Sequence, residues 1–191
     1  MLPIKILIVE DSLVFRELLV QNLSKDPAIQ VVAVAKDPFE ARDAILAHHP
    51  DVMTLDVELP RMNGIEFLRK LMPQYPLPVV VISSLSDKVF DALNAGAVDF
   101  VAKPAVSSRA QLEEFIKNEL LVKIKIASTA KISNIKKVTM AQEQQKLAVK
   151  GKDLIVAIGA STGGTEAIFS VVKEFGTDIP GIVVVQHMPP G

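Results

Sequence analysis

The 191 residues contain no cysteine, which excludes disulfides and thiolate metal ligation. They also lack any apolar run near the ~20 residues that a bilayer-spanning helix needs. Clean apolar stretches such as Val79–Ile82 and Ile182–Val185 are far shorter. The N-terminal apolar run is interrupted by Lys5 and followed by Glu10 and Asp11. With no small-residue cleavage site behind it, that run is a poor secretory signal. Net charge is only −1, which argues against a general nucleic-acid binder. These absences fit a cytoplasmic chain that is not membrane-inserted. What is abundant is apolar character, 49% of residues, enough for a packed core.

The charge is unevenly spread. Lys+Arg stand against Asp+Glu at 10 to 14 over residues 1–104, 10 to 4 over 105–152 and 1 to 4 over 153–191. A basic middle between two acidic flanks points to a helix and linker joining two domains. We divide the chain into a first domain at 1–122, a linker at 123–152 and the start of a second domain at 153–191. Residues 127–152 are rich in Lys, Gln, Ser and Thr and read as solvated linker. A basic nucleic-acid arm is disfavoured there, because aromatics are absent and no helix-turn-helix segment follows.

Along the first domain, short β-rich runs alternate with amphipathic stretches. Residues 4–9 (IKILIV), Ile29–Ala35, Val52–Leu55, Pro78–Ser83 and Val98–Ala102 read as strands. Ser12 is a plausible N-cap for a helix over Leu13–Ser24. Further helices are expected over Pro38–Ala47, through Ile65–Leu71, over Asp87–Ala95 with a stop at Gly96, and over Leu112–Ile126. Continuous apolar strands alternating with helices specify a parallel sheet covered on both faces. Right-handed crossovers then bring every strand's C-terminal end to one edge, where open sheets of this kind bind ligands.

Five polar residues fall at that edge: Glu10 and Asp11 after the first strand, Asp56 after the third, Ser83 ending the fourth and Lys103 after the fifth. Singly, each has an ordinary reading, as a helix cap or a solvated loop residue. Together they make a site. Three converging carboxylates repel unless a cation compensates, and an all-oxygen set with room for water suits Mg²⁺. A lysine and a hydroxyl beside them suit phosphoryl oxygens.

Glu10-Asp11, Asp56, Ser83 and Lys103-Pro104, in this order, resemble the receiver domain of two-component response regulators, over about residues 1–122. The resemblance implies a doubly wound, five-stranded, flavodoxin-like α/β fold. It implies Glu10 and Asp11 as Mg²⁺ holders, Asp56 as phosphoryl acceptor and further metal ligand, and the Glu58 backbone carbonyl as another. Ser83 and Lys103 would bind the phosphoryl oxygens, and Phe100 matches the aromatic switch position. A histidine kinase is the implied phosphodonor, and a cis Lys103–Pro104 bond is expected, since cis bonds are largely an X–Pro property.

The second domain opens with a strand over Asp153–Ile158, a tight turn over residues 159–164 (GASTGG), a helix over Thr165–Phe175 and a strand over Gly181–Gln186 that ends at His187. This is a βαβ unit. Gly159-Ala160-Ser161-Thr162-Gly163 fits G-x-S-x-G in the strand–turn–helix context of a nucleophile elbow. It is not a dinucleotide fingerprint, because Ser161 replaces the middle glycine, nor a Walker A loop, because no Gly-Lys pair follows. A plain glycine turn or a phosphate loop remains open on the motif alone. His187 strengthens the nucleophile reading. If the two strands are neighbours, about 4.8 Å apart, an imidazole at the second strand's end reaches a hydroxyl at the first's. Backbone N–H groups at the helix start, Thr162 among them, would face an oxyanion. His48 and His49, at a helix end before Pro50, read as surface or capping residues.

The segments GASTGGTEAI and VVVQHMPPG resemble the catalytic domain of the chemotaxis protein-glutamate methylesterase family, whose members carry a receiver in front. The resemblance implies Ser161 as nucleophile and His187 as base, with no cofactor for the ester chemistry and methyl-accepting chemoreceptors as substrates. Glu166, Glu174 and Asp178, the acids after Ser161, are poorly placed to complete a triad. We therefore expect a partial Rossmann-like second domain, with its apolar faces poorly buried and little esterase activity from these 191 residues. The alternative is a receiver that only docks on partners when phosphorylated. A DNA-binding response regulator is disfavoured by the serine elbow and the missing recognition helix.

Overall fold

The fold comes from a computed structural model, which describes residues 2–84, 88–104, 108–130, 155–160, 168–169, 171–176 and 179–186. The chain separates into two compact units, Met1–Ile135 and Lys136–Gly191.

In the first unit the expected strands form as β1 (Ile4–Val9), β2 (Ile29–Ala35), β3 (Val52–Asp56), β4 (Val79–Ser83) and β5 (Asp99–Ala102). They pair in parallel in the order β2-β1-β3-β4-β5, and β3 and β4 are buried along their whole length. Period-two alternation sorts their side chains between two cores. Leu7, Val9, Met53, Leu55, Val79, Val81 and Phe100 pack with α2 (Pro38–His48), α3 (Gly64–Leu71) and α4 (Val89–Asn94). Ile6, Ile8, Val52, Val80, Ile82 and Val101 pack with α1 (Leu13–Leu23) and the C-terminal helix. The chain reverses its direction of winding between β1 and β3, so the loops after these two strands diverge and leave a crevice.

Local chemistry sets the helix ends. The Ser12 hydroxyl accepts from the Phe15 N–H at 3.4 Å, as a cap should. Gly96, at φ 107°, supplies the left-handed residue just past α4. His49 closes α2 in a left-handed conformation, and its Nδ1 lies 3.1 Å from the Tyr75 hydroxyl, in line with its capping role. The last helix starts earlier than its apolar period indicates, because Ser108 caps it through the Gln111 N–H at 3.3 Å. It runs as α5 (Arg109–Phe115), a π-helical turn over Ile116–Leu120 and α6 (Leu121–Ser128), with Ile124 and Ala127 fully buried.

One expectation is overturned here: among the described residues no peptide bond is cis, so Lys103–Pro104 is trans. The two isomers of an X–Pro bond differ by only about 0.5–1 kcal/mol intrinsically, so surrounding contacts decide between them.

In the second unit, β6 (Ile155–Ala160) and β7 (Gly181–Gln186) pair in parallel, from Ile155 with Gly181 to Ala160 with Gln186. The ladder carries β6 through Gly159 and Ala160, two residues into the segment assigned above to the turn. Helix is present at residues 168–169 and 171–172 and gives way at 173 rather than 175. There Glu174 and Phe175 bond three residues back, to Val171 and Val172, tightening the final turn. Ile155 and Val185 of this sheet and Phe169 of the helix are each about two-thirds exposed, so apolar side chains are poorly buried here, as expected. Among the described residues no helix is long and apolar enough to cross a membrane.

Candidate functional site

The crevice beyond β1 and β3 gathers the residues expected there. Carboxylate oxygens of Glu10, Asp11 and Asp56 all lie within 4.8 Å of one another. Glu10 and Asp56 are almost completely buried, and Asp11 is exposed at the mouth. Lys103 reaches in from the end of β5, with Nζ 2.7 Å from Asp56 Oδ2 and 2.9 Å from Glu10 Oε2. The topology brings them together through register. Glu10, Asp56 and Lys103 continue the alternation of Ile8, Thr54 and Val101, so they emerge on the α1 side of the sheet.

Each member is held by neighbours. The Asp56 carboxylate is held at both oxygens, Oδ2 by Lys103 and Oδ1 by the Glu58 backbone N–H at 3.1 Å. Glu10 accepts from the Ser12 N–H at 3.2 Å, while Arg16 donates to the Glu10 and Asp11 carbonyls at 2.7 and 3.2 Å. Lys103 also lies 4.9 Å from the centre of the Phe15 ring, a cation–π contact that holds the ammonium where water is scarce. Gly64 opens α3 directly against the Asp56 backbone. A Cβ there would stand 2.0 Å from the Asp56 carbonyl oxygen, so only glycine allows this approach.

The electrostatics show the strain of the cluster. Burial first, and the Asp56 charge second, push the Glu10 carboxyl up to about 7, against the pull of Lys103 and the Ser12 N–H. Burial opposes the charge of Lys103, but its bonds to Asp56 and Glu10 outweigh that and raise its pKa. Removing charges from water costs several kcal/mol apiece. A site built this way is short of positive charge, and its hard oxygen donors fit a small divalent cation such as Mg²⁺.

Ser83 ends β4 fully buried, next to Ile82, the register partner of Asp56, and its carbonyl accepts from the Lys103 N–H at 2.8 Å. Phe100 lies inside the core on the α4 side, 3% exposed. Glu58 has an exposed side chain, and its backbone enters the site through the N–H already described. Ser161, Thr162 and His187 lie outside the described residues. Ala160 and Gln186, the residues just before Ser161 and His187, are register partners on adjacent strands.

Two residues at this edge of the sheet were not read from the sequence as belonging near the site. Phe15 is legible there only as an apolar position of α1; its place three residues after the Ser12 cap, on the turn that faces the crevice, was the available signal. Arg61 meets Asp37 at 2.6 Å, and nothing in the local pattern signals that pairing.

Comparison with known proteins matches residues 6–117 to the family described as "Response regulator receiver domain" and residues 156–191 to the one described as "CheB methylesterase". Among solved structures, the response regulator domain of Thermotoga maritima CheB aligns with TM-score 0.62 and 37% identity, covering 68% of this chain and 98% of that one. A protein-glutamate methylesterase/protein-glutamine glutaminase of Syntrophomonas wolfei is 59% identical over 98% of this chain and 54% of its own length. One from Syntrophotalea carbinolica is 47% identical over 98% of this chain and 56% of its own length. The chain thus spans about half the length of the curated relatives it matches.

Proposed function

The chain belongs to the response-regulator receiver family, with a segment behind the receiver that matches the CheB methylesterase family, and from that premise we propose that Asp56 accepts a phosphoryl group from a histidine kinase. The observation that carries this is the grip on Asp56: a buried carboxylate with one oxygen on the Lys103 ammonium and the other on a backbone N–H, inside a cluster of acids. An Asp56 oxygen forms the new bond to phosphorus as the donor's P–N bond breaks, and the electron pair leaves with the imidazole. Glu10, Asp11 and Asp56, with the Glu58 carbonyl, would hold Mg²⁺, whose charge offsets that of the phosphoryl oxygens. Lys103 exchanges its carboxylate partners for a phosphoryl oxygen, Ser83 donates its hydroxyl to another, and Phe100 follows the β4 end. The local change in charge thereby biases the α4–β5 surface.

In this reading, phosphorylation governs a serine esterase acting in chemotactic adaptation in the cytoplasm. Ser161 attacks a glutamyl methyl ester of a chemoreceptor, and His187 takes the Ser161 proton and passes it to the departing methanol. The N–H of Thr162 serves the oxyanion, and water then cleaves the acyl-serine. The same chemistry on glutamine releases ammonia. The match over residues 156–191 and the pairing of β6 with β7 support the assignment. Alone, these 191 residues release little or no methanol from methylated receptor. Release that disappears in Ser161→Ala would overturn that statement.

The test of the receiver reading is labelling by a cognate kinase or acetyl phosphate in MgCl₂. Wild type gains a phosphoryl group that alkali and hydroxylamine release, as from an acyl phosphate, and Asp56→Asn gains none. Equal labelling of the variant would refute it.

A further inference from the structure

Asp37 and Arg61 have no part in the chemistry above, yet they make an ion pair at 2.6 Å at the same edge of the sheet. Asp37 is fully buried at the start of α2. Its Oδ1 caps the helix, accepting from the Phe39 and Glu40 N–H groups at 2.8 and 3.0 Å. Capping alone could be done by serine or asparagine. The second oxygen reaches 24 residues along the chain, to Arg61 Nη2 at 2.6 Å. The guanidinium also lies 5.6 Å from the Phe39 ring.

Arg61 holds φ at 68°, a left-handed conformation that costs an ordinary residue roughly 1–2 kcal/mol and glycine nothing. Its side chain, though 58% exposed, is anchored at Asp37 and beside the Phe39 ring. The residue stands in the loop between β3 and α3, which is folded tightly on itself: Leu59 N–H to Val57 O at 3.1 Å, Met62 N–H to Pro60 O at 2.8 Å and Gly64 N–H to Val57 O at 2.9 Å. The same loop supplies the Glu58 N–H that holds Asp56 Oδ1.

We propose that Arg61, tethered to Asp37, is a positioning residue for the acceptor carboxylate. The tether fixes residues 57–63 in the conformation that keeps the Glu58 N–H on Asp56 Oδ1 and the Glu58 carbonyl at the metal site. The inference rests on Asp56 being the phosphoryl acceptor. A plain clamp between α2 and the loop would change stability alone; a positioning residue changes rate and metal affinity at equal stability.

The test uses the full chain and four variants. Arg61→Gly removes the tether while relieving the backbone strain, Asp37→Asn keeps the cap while removing the charge, and the double variant and Arg61→Lys complete the set. Calorimetry with MgCl₂ alone, initial labelling rates against acetyl phosphate concentration, and amide exchange at Leu59 and Met62 are measured beside thermal melts. Both single variants are expected to lose about tenfold in maximal labelling rate, the low end for outer partners of a metal site, with donor KM unchanged. Mg²⁺ binding weakens and the two amides exchange faster. The double variant is no worse than either single, and Arg61→Lys recovers part of the rate. Rates and Mg²⁺ affinity within twofold of wild type in both single variants, whatever the melts show, overturn the proposal. If wild type itself accepts no phosphoryl group, the acceptor reading falls. Loop exchange and Mg²⁺ affinity then decide the tether, faster exchange with weaker binding supporting it and unchanged values overturning it.

Discussion

Gly64→Ala is the sharpest probe of how the fold holds the acceptor. The added methyl would stand 2.0 Å from the Asp56 carbonyl oxygen, 3.0 Å from its carbon and 3.1 Å from Val57 Cα. All three are backbone atoms, so no side chain can turn aside. The start of α3 and the end of β3 must separate by roughly 1.5 Å to reach ordinary van der Waals contact, and the Gly64 N–H bond to Val57 lengthens with them. Overpacking of this kind costs roughly 1–3 kcal/mol, and an immovable neighbour puts it at the upper end. Alanine's better helix propensity returns up to about 1 kcal/mol. The net loss is about 2 kcal/mol, or roughly 5–10 °C in the melting temperature of the receiver unit. Because Asp56 itself moves, labelling by acetyl phosphate should also slow about tenfold. Circular dichroism melts and labelling rates on the same preparation provide the assay. A Gly64→Ala protein that melts at or above the wild-type temperature and labels at the wild-type rate would refute the close-approach argument.

Two further outcomes are expected. Ile124→Ala, at a fully buried position of α6, should cost about 2–4 kcal/mol in urea unfolding, while Val122→Ala, at a half-exposed position, should stay within about 0.5 kcal/mol; equal effects would mean that the helix beyond residue 120 does not pack on the receiver. The Asp37 carboxyl is held below its ordinary value, first by the Glu40 N–H, then, against the opposing effect of burial, by the Phe39 N–H and by Arg61. Its native pKa being depressed, its contribution to stability is fully present above its unfolded value near 4 and is lost as pH falls through the native one. Melting temperatures of wild type should therefore fall more steeply than those of Asp37→Asn as pH drops below about 4, and parallel curves would count against the ion pair.

Much of this was legible in local pattern. Apolar runs ending in Glu10, Asp56, Ser83 and Lys103 announce strands whose polar ends share one edge, because parallel strands with right-handed crossovers leave no other arrangement. Ser12 as a cap and Gly96 as a helix stop follow from the chemistry of those side chains alone. The π-helical turn at Ile116–Leu120 has no such signature. It arises where Ile116, Leu120 and Ile124 must all reach the core, and a periodicity argument smooths over it. The trans Lys103–Pro104 bond was likewise not readable, since the intrinsic preference is too small to decide it.

The amino-acid order by itself determined which residue types stand at each strand end, and hence that an acidic, phosphoryl-compatible edge would form. Only the tertiary structure decided which of them touch. The strand order β2-β1-β3-β4-β5 puts β1 beside β3 and so lays Glu10 against Asp56. The β5 register sends Lys103 to the α1 side, where it meets Phe15 as well as both carboxylates. Asp37 finds Arg61 across 24 residues because α2 and the β3–α3 loop share one end of the sheet. Propensity and periodicity act over a few residues of backbone, whereas these contacts depend on how separate elements close on a common core.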